Sequence, residues 1–165
     1  MYSGDKWQTS AGEDKYRRGL YTFWRRTSPY PSMISFDAPS REFCVLRRPR
    51  SNTPLQALTL MNDPVYVECA QALAQRMLRE GGVKAEERAA FGLRVCLARE
   101  ARPAEAKKLA ALAEKERVRY EAEPEAAAKL LKFAGATNKT NAAELAAWTV
   151  VANVLLNLDE FVMKQ

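Results

Sequence analysis

Four prolines constrain this fold more than any other feature of the chain. Pro54, Pro64, Pro103 and Pro124 each stand at the head of a stretch with helical apolar spacing. Proline breaks a helix that runs into it but is well placed in the first turn, where its missing N–H would have no partner anyway. The chain therefore reads as separate helices with fixed starting points.

Local chemistry agrees at each start. Thr53-Pro54-Leu55-Gln56 is a capping box, in which the Thr53 hydroxyl and the Gln56 amide satisfy each other's backbone N–H groups; it opens a helix predicted over 54–61. Asp63-Pro64 caps a second helix over 64–80, with Tyr66, Ala70, Leu73 and Met77 on one side and Gly81-Gly82 as its stop. A helix over 85–99 has Phe91, Val95 and Ala98 on one side, widened by Leu93, Cys96 and Leu97, and so is expected near the middle of the packing. Pro103 opens a helix over 103–121 with Leu109, Leu112, Ala113 and Tyr120 inward and Lys107, Lys108, Glu114, Lys115, Glu116 and Arg117 in solvent. Pro124 opens another over 124–134, stopped by Gly135. Asn141 caps the last, predicted over 142–163, whose stripe Leu145, Trp148, Val151, Ala152, Leu155, Leu158 and Val162 is the most regular in the chain and marks the central packing helix.

The N-terminal third is less regular. Ser10-Ala11-Gly12-Glu13 resembles a capping box for a helix over 11–27, with Tyr16, Leu20, Phe23 and Trp24 as its stripe. Pro29, Pro31 and Pro39 then forbid a continuous helix, so 28–53 is expected to be a long ordered Pro/Arg-rich loop anchored by Tyr30, Met33, Ile34 and Phe36. Phe43–Leu46 reads equally as a helical turn or a strand-like piece. The expectation is an all-α protein: a compact bundle of six to seven helices forming one helical domain over 1–165.

Composition removes several chemistries. The chain has no histidine, which excludes Ser-His-Asp and Cys-His nucleophilic sites and histidine-ligated zinc or haem. Cys44, Cys69 and Cys96 lie too far apart for a CxxC or CxxCH motif; Cys69 and Cys96 are expected as buried thiols, and an odd count leaves at least one unpaired in a monomer. No metal or cofactor is expected in this chain. No apolar run is long enough to span a bilayer, and Met1–Ser10 lacks the layout of a signal peptide, so no membrane is among the expected partners.

The formal net charge of +6 is concentrated. Residues 15–50 carry nine basic residues, eight of them arginine, against Asp37 and Glu42. Arginine suits bidentate contact with carboxylates, phosphates and sulfates. A polar belt of Asp37, Arg41, Arg47, Arg48, Arg50, Asn52 and Gln56, continued by Asn62 and Asp63, has two readings. In one it clamps an anionic ligand. In the other Thr53, Gln56 and Asp63 serve as caps, and Asp37 and Glu42 pair with Arg41 or Arg47 to hold the loop. Asn153 and Asn157, four apart on the last helix, are read as anchors for the backbone of that loop. Glu86/Glu87 and Glu121/Glu123 are read as helix-end charges. Asn138-Lys139-Thr140 matches an N-glycosylation acceptor, a pattern short enough to be common by chance.

The strings GEDKYRRGLYTFWRRTSPYPSMISFDAPSRE, RRPRSNTPLQALTLMNDPVYVE and ELAAWTVVANVLLNLDEF resemble the C-terminal part of a planctomycete-type domain of unknown function. That domain closes large multidomain proteins, many with a planctomycete cytochrome-c-like module upstream. The resemblance implies an extracytoplasmic home and haem in a different, upstream module. It implies no reaction and no catalytic residues. The expected function is accordingly a noncatalytic helical interaction module whose partners are upstream domains of the same polypeptide, an acidic protein or an anionic polysaccharide. The alternatives are half of an enzyme site completed by upstream sequence, and a polyanion-binding module. Against nucleic acid, Tyr16, Tyr21, Trp24 and Tyr30 are used by the helix stripe and the loop, and no recognised binding motif is present.

Overall fold

A computed structural model describes residues 10, 12–24, 29–40, 42–47, 49, 51–133 and 141–163. Among them are eight α-helices and no strand: α1 (Pro31–Ser35), α2 (Pro54–Asn62), α3 (Pro64–Glu80), α4 (Ala85–Leu97), α5 (Pro103–Ala122), α6 (Pro124–Leu130), α7 (Ala142–Leu156) and α8 (Asp159–Val162). The chain is all-α. It divides into two units, Met1–Thr59 and Leu60–Gln165, with the boundary inside α2.

Three of the longer helices form where the caps place them. Asp63 Oδ1 accepts the Val65 N–H at 2.9 Å and starts α3. Glu105 Oε2 accepts the Arg102 N–H at 2.9 Å and starts α5. Asn141 Oδ1 accepts the Ala143 N–H at 3.0 Å and starts α7. Each supplies an acceptor to an N–H that the helix itself leaves orphaned. Between α3 and α4 the chain turns through Gly82, whose φ of +92° suits glycine.

In the second unit α7 is the central helix, packing most extensively against α3 and α5. Its buried residues run almost all the way round: Ala143, Leu145 to Thr149, Val151, Ala152 and Leu155. Around it lie Ala70, Ala74 and Met77 of α3, Ala89 and Leu93 of α4, and Ala106 and Ala113 of α5. Many of these are alanines, which let helix axes come close while Met77, Leu93, Trp148 and Leu155 fill the remaining volume. A smaller cluster joins Tyr120, Ala127, Ala143 and Ala146. At its edge Gln71 is buried, and its Nε2 donates to the Leu130 carbonyl at 2.5 Å.

Four expectations for this unit are corrected. The final helix does not run from 142 to 163. It stops at Leu156, Leu158 is extended, and α8 starts again at Asp159. At the break the Asn153 carbonyl accepts both the Asn157 N–H, at 3.1 Å, and the Asn157 side-chain Nδ2, at 3.2 Å. In α4 the buried face is Ala89, Gly92 and Leu93, whereas Val95 and Ala98 are exposed. The broad apolar pattern overstated how central that helix is. Glu116, assigned to solvent, is only 9% exposed, with Arg119 Nη1 3.3 Å from its Oε2. Cys69, expected in the core, is exposed.

The first unit departs further. In place of a helix over 11–27 the described residues form two short 3-10 turns, Gly12–Tyr16 and Gly19–Tyr21, with Thr22 extended. Tyr16, Leu20 and Phe23, the intended inner stripe, are exposed, Leu20 by 78%. Gly12 sits at φ +63°, and a short helix whose apolar stripe stays exposed has little to offset its nucleation cost. Within the expected loop, Pro31 starts the short helix α1; Ile34 is exposed, while Tyr30, Met33 and Phe36 are half-buried. Around Phe43–Leu46 the described residues form bends, neither helix nor strand.

Candidate functional site

None of the hydrophobic residues described before Leu60 is buried; the two buried residues there are polar, Ser32 and Gln56. Three polar residues of this unit, Asp37, Ser51 and Gln56, are joined by hydrogen bonds. Gln56, 2% exposed, lies in the first turn of α2. Its Oε1 accepts the Thr53 N–H at 3.0 Å, and its own N–H donates to Thr53 Oγ1 at 3.3 Å, so the capping box is formed. Gln56 Nε2 donates to the Ser35 carbonyl at 2.8 Å and to Ser51 Oγ at 2.9 Å. Ser51 Oγ donates in turn to Asp37 Oδ2 at 2.5 Å, and the Ser51 N–H reaches the same oxygen at 3.0 Å.

These contacts form one closed network. Both amide protons of Gln56 are used, and so is its carbonyl. The Ser51 hydroxyl is held as a donor by Asp37 and as an acceptor by Gln56. Asp37 is in the left-handed region, φ 58°, which aspartate tolerates better than most residues. The knot ties the end of α1 to the chain entering α2. With the hydroxyl engaged at both ends and no histidine in the chain, Ser51 is not arranged as a nucleophile.

The structure therefore sorts the predicted belt. Asp37 and Gln56 come together, and Ser51, which the sequence reading overlooked, joins them. Asp37 Oδ2 accepts from Ser51, two residues before the α2 cap Thr53, and among the described residues no ion pair joins Asp37 to Arg47; the alternative pairing with Arg41 lies outside the described residues. Arg47 and Asn52 are exposed. Arg41, Arg48 and Arg50 lie outside the described residues, as does Asn138. Asp63 is a helix cap, and Asn62 is exposed.

The hydrogen bonds of Asn153 and Asn157 among the described residues lie within the second unit. Asn153 Nδ2 donates to the Leu60 carbonyl at 3.3 Å, in the last turns of α2, and Asn157 donates to Asn153. Of the carboxylate pairs, Glu87 accepts the Lys84 N–H at 3.1 Å, Glu121 pairs with Arg117, and Glu123 lies 3.9 Å from Arg119. These are helix-end and helix-face roles, as the sequence suggested.

The densest charge cluster had no signal in the sequence. Arg99, just beyond α4, donates from Nη1 and Nη2 to Glu105 at 3.0 and 2.9 Å, and from Nε and Nη2 to Glu160 at 2.8 and 3.1 Å. It joins the α4 end, the α5 start and α8. The guanidinium, helped by the Arg102 N–H, holds the Glu105 carboxyl down at about 2, and it pulls Glu160 below the usual carboxylate range as well. Glu105 shows itself only as an N-cap partner after Pro103, and Glu160 is 61 residues from Arg99. Elsewhere the guanidinium carbons of Arg76 and Arg94 lie 5.6 and 5.8 Å from the Phe91 ring centroid. The Cys96 thiol is pushed up to about 11 by burial. Among the described residues no group of acids and cysteines is arranged to hold a metal ion, and no helix is long and apolar enough to cross a membrane.

The described residues define an all-α protein in which Asp37, Ser51 and Gln56 are bonded to one another. Residues 2–113 match the family described as PSD1: Protein of unknown function (DUF1553), and the chain belongs to that family. No curated protein and no solved structure gives a significant match to it.

Proposed function

We propose that this chain is a noncatalytic helical interaction module of a larger extracytoplasmic polypeptide that also carries a redox module. The observation that carries this reading is the surface of the first unit. Ten of the fifteen exposed large hydrophobic side chains among the described residues lie between Tyr16 and Leu58. Single exposed hydrophobics are ordinary, but this density over so short a stretch, with no buried apolar residue among those described there, is the composition of an interface. The second unit, by contrast, buries its own core around α7. The multidomain, cytochrome-c-associated context rests on the resemblance of the GEDKYRRGLYTFWRRTSPYPS and RRPRSNTPLQALTLMNDP strings. The Asp37–Ser51–Gln56 knot favours the module over half of an enzyme site, since its polar groups are spent on one another.

The test supplies, in trans, the polypeptide encoded immediately before Met1 in the source gene. The expected result is a one-to-one complex by size exclusion, with loss of the fluorescence of a hydrophobic dye bound to the free chain. Leu20→Asp and Leu55→Asp, at exposed positions, should weaken the complex without altering the helical spectrum. A chain that stays free and keeps its dye signal, or the absence of any preceding coding sequence, would overturn the reading.

A further inference from the structure

Helix α8 does not hold itself in place. It is four residues long, none of them is buried, and no side chain caps its start at Leu158. In so short a helix too few hydrogen bonds offset the cost of nucleation. It packs on α4 and α7, where Phe161 and Val162 are only half-buried.

The joint before it carries a cost of its own. From α7 the chain passes through Asn157 to Leu158, which is extended at φ −64° and ψ 139°. Asn157 Nδ2 donates to Asn153, but Asn157 Oδ1 is buried and accepts no hydrogen bond among the described residues. A buried acceptor without a donor disfavours this closed arrangement, and water supplies the donor once the segment lifts. Arg99 opposes the lifting. Its Nε and Nη2 reach Glu160 at 2.8 and 3.1 Å, while Nη1 and Nη2 reach Glu105 at 3.0 and 2.9 Å. One guanidinium serves two carboxylates and shares Nη2 between them.

We infer that α8 is a strap that lifts about Asn157–Leu158 while the rest of the second unit stays folded, with the Arg99–Glu160 pair as its clasp. The two arms of the clasp are unequal. Glu105 also accepts the Arg102 N–H at 2.9 Å, so Arg99 is kept at the start of α5 when α8 leaves. Glu160 is drawn down by Arg99 and Arg102 but opposed by the Glu105 carboxylate. The neighbouring elements add little charge: α7 has no ionisable side chain after Glu144, and Arg94 in the last turn of α4 lies 5.8 Å from the Phe91 ring centroid. On α8 itself the other acid, Asp159, is exposed. A depressed carboxylate holds its partner above its ordinary value and lets go as pH falls. Glu160 therefore lets go before Glu105, in the window below 4.5 and above about 2. Opening bares Leu158, Phe161 and Val162 together with the sides of α4 and α7 beneath them. The strap stands independently of the proposed module role.

Hydrogen exchange of the full chain tests it, with each rate corrected for the pH dependence of an unstructured amide. The reporters are the N–H groups of Phe161, Val162 and Met163, which donate to Leu158, Leu158 and Asp159; the controls are the Ala106 N–H, which donates to Arg102, and the buried middle of α7. Between pH 7 and about pH 3, protection in α8 should fall roughly fivefold, the upper scale of a partly exposed ion pair, while the controls hold. Glu160→Gln should show that lower protection already at pH 7 and lose little more on acidification. Salt at about 1 M should loosen α8 in the wild type and leave Glu160→Gln unchanged. Wild-type protection in Glu160→Gln at pH 7, or equal protection of α8 at the two pH values in the wild type, overturns the clasp. Loss at Ala106 and α7 in step with α8 overturns the strap, because the unit is then opening as a whole.

Discussion

Gln56 donates a hydrogen bond from its Nε2 to the carbonyl of Ser35, 2.8 Å away and twenty-one residues earlier in the chain. That contact, with the Ser51 bond, is the means by which a unit with no buried apolar side chain among its described residues closes a long loop. Gln56→Glu is nearly isosteric but places carboxylate oxygens against the Ser35 carbonyl and removes both donors. The expected cost is about 1–3 kcal/mol, the price of leaving buried polar groups unsatisfied. Thr53→Ala should cost about 1 kcal/mol by removing the acceptor of the Gln56 N–H. Hydrogen exchange of residues 51–58 reads both; unchanged protection in Gln56→Glu would show that the knot does not hold the loop.

Gly92 is where α4 comes closest to its neighbours. A Cβ at that position would stand 2.6 Å from Met77 Cε and 2.8 Å from Leu155 Cδ1. The helix-propensity gain of Gly92→Ala, up to about 1 kcal/mol, is therefore outweighed by overpacking of about 1–3 kcal/mol. Urea denaturation should show net destabilisation, and the loss should shrink in a Met77→Ala background, where one of the two obstacles is gone. An equal loss in both backgrounds would mean that Met77 is not the obstacle.

The helices from α2 to α7 were legible because their starts are written in short-range chemistry. Thr53 with Gln56, Asp63 with Pro64, and Asn141 act within a few residues, and periodic stripes then identify Trp148 and Leu155 as core. Where an element depends on what covers it, the sequence misled. The stripe Tyr16, Leu20 and Phe23 has helical spacing, yet all three are exposed, and Tyr16 and Leu20 fall in 3-10 turns. Apolar neighbours placed Cys69 inside although its position on α3 faces out. The break after Leu156, where the Asn157 N–H and side chain share the Asn153 carbonyl, is one that no periodicity reports. In the belt, Ser51, which has no signal of its own in the sequence, supplies two donors to the Asp37 carboxylate. The Arg99 cluster joins three chain segments, and only the fold brings Glu160 to it.

Trp148 and Leu155 are both buried on α7, the helix that α3, α4 and α5 all touch. Truncating Trp148 to alanine should cost about 3–5 kcal/mol, and Leu155→Ala about 2–5 kcal/mol, through lost burial and the cavity left behind. Leu155 also lies beside Gly92, so part of its cavity is lined by backbone that cannot collapse inward. Equilibrium urea denaturation followed by circular dichroism measures both. Wild-type stability in either variant would remove α7 from the centre of the unit.

Glu105 makes stability depend on pH in a defined window. Its carboxyl titrates at about 2 in the folded chain against an ordinary value of 4.5, chiefly because Arg99 donates to it. A depressed folded value means that the group favours folding above its unfolded pKa. That contribution fades as pH falls from about 4.5 towards about 2 and is absent below both values. Glu160, pulled in the same direction by the same guanidinium, adds to the loss. The cluster is partly exposed, with Arg99 and Glu105 side chains 30% and 29% accessible, so solvent and salt weaken the effect. Glu105→Gln should lower the melting temperature at pH 7. The gap from wild type should close as pH drops to about 2, and it should narrow in high salt. A gap that stays constant from pH 7 to pH 2 would mean that the α5 cap, which glutamine retains in part, and not the charge on Glu105, accounts for its role.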